Sequence, residues 1–121
     1  MGSISVMKLG DCLFVSVPEE LRDSQVRDLQ DTVSGRLSQD AVRGVVIDVS
    51  ALSIIDSFVA RVLGDTAAIA RSFGARGVLV GVRPAVATTL VDLGIDLSAV
   101  ETALNLERAL EKLNLKVISL S

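Results

Sequence analysis

Three aspartates and a serine stand close together in the middle of the chain. Asp48 ends the run VVID, Asp56 and Ser57 interrupt the apolar SIIDSFV, and Asp65 follows in ARVLGDTA. Carboxylates gathered at the carboxyl ends of strands can hold magnesium, and paired carboxylates can hydrolyse glycosides. The spacing favours plainer roles. Asp48 closes a strand, Asp56 stands where a helix needs an N-cap, Asp65 lies nine positions further along that helix, and no sugar-stacking aromatic is near. The sequence holds no histidine, which removes the commonest base near neutral pH and every triad built on imidazole. The turns Gly74-Ala-Arg-Gly77 and Gly81-Val-Arg-Pro84 lack the glycine spacing that surrounds a pyrophosphate. Arg61, Arg71, Arg76 and Arg83 could meet a phosphate or a partner's carboxylates, but most surface arginines do neither in particular. The expectation is a protein that is not an enzyme and uses neither cofactor nor metal.

Ser57 admits two readings. In one, Ser53 and Asp56 form a capping box, or Asp56 or Ser57 is itself the N-cap, and the hydroxyl only serves orphan amides, which is worth about 0.5–2 kcal/mol. In the other, Ser57 is a phosphoacceptor. A phosphate there would bring about −1.5 to −2 charges to a helix N-terminus, where free amides and the helix dipole favour an anion. The helix would survive, while the surface beside Asp56 would become strongly negative and change which protein binds.

The elements that must hold these residues follow from hydrophobic periodicity. Ser3 to Leu9 and Cys12 to Val17 read as two strands of a hairpin turning at Gly10-Asp11, the first of them at a sheet edge. Val26, Leu29, Val33 and Leu37 recur at helical spacing, with a cap expected at Asp23 or Ser24. Gly44 to Val49 is a continuous apolar run typical of a central strand buried on both faces. A second helix runs from Ser57 to Phe73, with Gly74 as its stop, and Gly77 to Gly81 is another buried strand. Pro84 opens a helix that ends at Gly94, 95–102 reads as loop and short strand, and Asn105 to Lys112 forms a last helix. The tail KVISLS is open between strand and disorder. A hairpin followed by alternating helix and strand makes an α/β fold, a mixed sheet of about four to five strands with about four helices.

With 121 residues the chain is one domain, 1–121. Half of it is hydrophobic, mostly aliphatic, with three Phe and no Trp or Tyr, which suits strands covered by helices. A net charge of −3 offers no field for phosphate backbones, so no nucleic acid partner is expected. The lone Cys12 lies in an apolar stretch and reads as a buried structural thiol. With no disulfide framework, and no secretory or membrane-spanning run, the expected location is the cytoplasm, away from any membrane.

The strand VVIDVS, then LSIIDSF at a helix start, then GARGVLVGVRP resemble the STAS domains of anti-sigma factor antagonists and sulfate-transporter tails, over nearly the whole chain. IIDSF, ARVLGDTA and VGVRPAVATTLVDLGI resemble in particular the RsbS-like stressosome scaffolds of that family. The resemblance implies a mixed sheet with helices on it. It also implies that Ser57 is phosphorylated by a GHKL-type serine kinase, with Asp48 and Asp56 shaping its surroundings, and it makes Thr89 a secondary candidate, near a second phosphothreonine of longer paralogues. Simple antagonists follow Asp-Ser with small residues, whereas Phe58 and Val59 stand here and, with Arg61, would belong to a docking surface. The implied partners are an RsbT-like switch serine/threonine kinase, released once it has phosphorylated the scaffold, a longer sensor-bearing RsbR-like paralogue, and a resetting phosphatase of the PP2C type. Homo-oligomers and a large hetero-oligomeric assembly are implied as well. A simple anti-sigma factor antagonist, or a STAS domain that binds a nucleotide or small molecule, are the alternative expectations.

Overall fold

The computed structural model describes residues 4–53, 55–95 and 101–113. Ile54, the central part of 95–102, and the tail expected as strand or disorder lie outside these residues.

Strands β1 (Ser5–Leu9) and β2 (Cys12–Ser16) form the antiparallel hairpin that the turn pair Gly10-Asp11 dictates. Each later strand then follows a helix: α1 (Asp23–Gln39), β3 (Gly44–Asp48), α2 (Ser57–Ser72), β4 (Arg76–Val80), α3 (Pro84–Asp92), β5 (Glu101–Ala103) and α4 (Leu106–Lys112). The sheet keeps chain order, β1-β2-β3-β4-β5, with every pair after the hairpin parallel. When successive neighbouring strands are joined by right-handed crossovers, each crossover helix falls on the same face. Accordingly α1, α2 and α3 share one core with Leu13, Val15, Val45, Ile47 and Leu79, while α4 closes the opposite face over Cys12, Val46, Val78 and Val80.

The continuous apolar run of β3 is explained by this layering, because Val45 and Ile47 point into the first core and Val46 into the second, all fully buried. The buried stripe of α2 includes the small residues Ala60, Ala67 and Ala70. They let the helix sit close to β4, where a side chain at Gly77 would come within 2.9 Å of Ala67. Opposite, the short α4 is fixed from two directions. Arg76 grips Glu101 with two guanidinium nitrogens and donates to the Lys112 carbonyl at 2.9 Å, and Lys112 Nζ donates to the Thr102 carbonyl at 2.7 Å. The Arg76 guanidinium holds the Glu101 carboxyl below the usual carboxylate range.

Several boundaries differ from the reading of the sequence: β2 ends at Ser16 and β3 at Asp48, each one residue earlier. Helix α1 takes neither Asp23 nor Ser24 as its cap: it starts one residue earlier, with Arg22 as the N-cap and the Gln25 side chain accepting the Arg22 amide at 3.0 Å. Asn105 lies outside α4 as its N-cap, accepting the Arg108 amide at 2.9 Å. Strand β4 starts at Arg76 and stops before Gly81.

Candidate functional site

The carboxyl ends of β3 and β4 and the first turns of α2 and α3 lie at one end of the sheet, and the β3–α2 loop there leads into the helix that Ser57 begins. The β3–α2 loop turns because Asp48 accepts the amide of Ser50 at 2.9 Å, a local turn that the short carboxylate side chain provides. It is then fastened to the next loop. Val49 donates to the Val80 carbonyl at 2.9 Å, and Arg83 Nε donates to the Ser50 carbonyl, also at 2.9 Å. Gly81 lies against Ser50 so closely that a Cβ there would stand 2.6 Å from Ser50 Cβ. Leu52 and Ile55, both buried, pin the rest of the loop to the core.

Helix α2 begins where this loop ends, and the competition over its cap is decided for Asp56. Its Oδ1 accepts the Val59 amide at 2.8 Å, and its carbonyl accepts the Ala60 amide at 3.0 Å. Ser57 is therefore the first helical residue, exposed, and its hydroxyl has no hydrogen-bond partner among the described residues. The capping hydroxyl anticipated for Ser57 and the box between Ser53 and Asp56 give way to this arrangement, because a carboxylate one residue before the helix already reaches the amide three residues on.

The other expected site residues fall in different places. Phe58 is half-buried against the core, and the Arg27 guanidinium of α1 lies 5.5 Å from its ring centroid, a cation–π contact. Arg61 is exposed one turn below Ser57 and makes no ion pair among the described residues. Val59, expected on a docking surface, is instead a core residue at 5% exposure, since helical spacing turns it inward with Val62 and Leu63. Thr89 is half-buried on α3, and its hydroxyl donates to the Ala85 carbonyl at 3.0 Å. Asp48 and Asp56 each serve a nearby backbone amide, Asp65 is exposed along α2, and no group of three potential metal ligands gathers among the described residues. Cys12 is fully buried on the opposite face, where burial pushes its thiol up to about 11.

Arg27 and Arg83 complete the frame, and periodicity gave neither this place. Arg83 reaches a carbonyl 33 positions away and Arg27 a ring on another helix. Local patterns do not encode such contacts; the nearest signal is that Arg83 precedes the proline opening a helix.

The fold and this site define an α/β module that presents a braced loop and, at a helix mouth, an exposed serine. The STAS domain model matches residues 3–111, and the chain belongs to the STAS domain family. RsbS of Moorella thermoacetica, solved as a serine-to-glutamate variant, superposes with a TM-score of 0.84 at 38% identity, over 93% of this chain and 96% of that one. A chain from the molecular architecture of the stressosome, a signal integration and transduction hub, gives a TM-score of 0.81 at 40% identity, over 91% and 96%. The RsbT co-antagonist protein RsbRA of Bacillus subtilis is 39% identical over 80 residues, which are 63% of this chain and 29% of RsbRA. The chain thus matches less than a third of that relative. No described helix is long and apolar enough to cross a membrane.

Proposed function

We propose that this chain is a scaffold subunit of a stressosome-type assembly, that it holds a switch serine/threonine kinase, and that phosphorylation of Ser57 by that kinase releases it. The observation that carries the reading is the division of labour at the mouth of α2. Asp56 does the capping, so Ser57 is exposed and its hydroxyl, among the described residues, makes no hydrogen bond. Among the described residues, no acceptor is bonded to the amides of Ser57 and Phe58, which leaves donors for a phosphate at the positive end of the helix. The added charge stands beside Asp56 and one turn from Arg61, on the surface where Phe58 is partly open. A kinase docked there before the reaction would meet a changed field after it.

The likeness to RsbS and to the stressosome chain supports the scaffold role, and the likeness to RsbRA supports a longer paralogue as co-assembly partner. A PP2C-type phosphatase would reset the serine, in a soluble, cytoplasmic cycle without catalysis by this chain. Thr89 is the lesser acceptor, since its hydroxyl is already engaged within α3.

The test is to incubate the chain with its cognate kinase and ATP and map the modified residue by mass spectrometry. One phosphate is expected, on Ser57, and none in Ser57→Ala. Undiminished incorporation into that variant overturns the reading. Light scattering of the chain mixed with its paralogue then checks the scaffold role: a particle of megadalton order is expected, and a small complex with the kinase alone would indicate a simple antagonist.

A further inference from the structure

The two edges of the sheet are finished differently. At β5 the strand is only three residues long, Glu101 is gripped by Arg76, and Lys112 occupies the Thr102 carbonyl. Short length and a covering lysine are what keep an edge from pairing. At β1 the strand is longer, and its one charged side chain is Lys8. Five residues run at the border of the sheet, with Met7 47% exposed on one face and a cleft of about 260 Å³ on the other. That cleft is floored by Ile4, Val6 and Leu29 and rimmed by Gln25, Asp28 and Thr32 of α1.

We propose that the free edge of β1 is a two-fold interface joining two copies of this chain into one continuous sheet. The register follows from the hairpin. Leu9 and Cys12 close a two-residue turn and so exchange backbone hydrogen bonds, and bonding alternates along the ladder. Met7 and Ser5 therefore bond toward β2, and the amides and carbonyls of Val6 and Lys8 face outward. A two-fold axis at Met7 sets Lys8 opposite Val6 of the second copy, twice, so that every outward group of these two residues is paired. The Met7 side chains meet across the axis at a non-hydrogen-bonded position, where a flexible thioether packs readily.

The side chains fit the same register. Lys8 lies on the α1 face, because it alternates with Val6 and pairs with the core residue Leu13. Opposite Val6 of the second copy, its stem enters the apolar cleft and its ammonium meets Asp28 on the rim. Neither Lys8 nor Asp28 has an ion pair within the described residues. Shifting the axis to Lys8 would set two lysines face to face, which disfavours that register. The inference is independent of what happens at Ser57.

Sedimentation of the full chain tests it. The wild type is expected to reach a dimer as concentration rises. Lys8→Glu and Asp28→Lys should each raise the dissociation constant about tenfold or more, since every pair occurs twice in a two-fold interface. The combined K8E/D28K variant should recover the dimer with the charges exchanged, which also shows that the single variants had not merely unfolded. A wild type that stays monomeric throughout overturns the proposal, and so does a dimer indifferent to both single changes.

Discussion

Replacing Gly81 by alanine should loosen the braced loop that precedes α2, and the size of the effect can be worked from two glycines. Gly81 and Gly74 both have left-handed backbone, at φ +74° and +78°. An alanine in that conformation costs about 1–2 kcal/mol. Around Gly74 nothing lies within 4 Å of an added methyl, so Gly74→Ala should lose that amount and no more. At Gly81 the methyl would stand 2.6 Å from Ser50 Cβ, 3.1 Å from its Cα and 3.3 Å from its amide nitrogen, so backbone has to move. Ser50 is not free to yield, because Asp48 holds its amide and Arg83 its carbonyl. Overpacking of this kind adds about 1–3 kcal/mol, for a total of roughly 2–5 kcal/mol on the two terms together. Urea unfolding of the two variants beside the wild type gives the comparison through the midpoint and slope. Adding Ser50→Gly, which removes the nearest atom, should return part of the loss in Gly81→Ala and none in Gly74→Ala. Equal losses at the two glycines would refute the claim that the two loops are packed against each other.

Asp56→Ala should cost about 1 kcal/mol in the same assay and Asp56→Asn much less, since either side-chain oxygen can take the Val59 amide. Ser57→Asp should leave the unfolding free energy within about 0.5 kcal/mol of wild type and weaken retention of the proposed switch kinase in a binding titration, where an unchanged dissociation constant would count against the proposed switch. Cys12 should resist alkylation in the native chain and react once urea unfolds it. Its thiol stays protonated up to about 11 in the fold and ionises near 9.0 when exposed, so stability should be full below about pH 9 and fall as pH rises toward 11. A Cys12→Ala variant with the same alkaline decline would show that another group is responsible.

Most of the frame was legible in the sequence, for reasons that differ by element. β3 was readable because strands buried on both faces need unbroken apolar runs. α2 was readable because Val59, Val62, Leu63 and Ala70 repeat along one side. The cap of α1 was misread because Asp23 and Ser24 are better capping types than Arg22, and the choice was made by Gln25 reaching back to a backbone amide. β5 has only Glu101, Thr102 and Ala103, too few for a period, and it exists through pairing with β4. At the site, spacing brought Asp56 and Ser57 to the helix mouth and left open which of them caps. Geometry decided that and brought in Arg27 and Arg83, while Val59 follows the helical period into the core and not the docking surface that the resemblance implied.

The assignment of the cap to Asp56 has a consequence for the protein's life in the cell. Because the cap is carried by a neighbour, the serine can be exchanged for alanine, aspartate or a phosphoester with little effect on the unfolded fraction that proteases survey. If Ser57 is phosphorylated as proposed, turnover is blind to its state. Under that proposal the number of copies and the share of them in either state are separate variables, and resetting the second needs no new synthesis to restore the first.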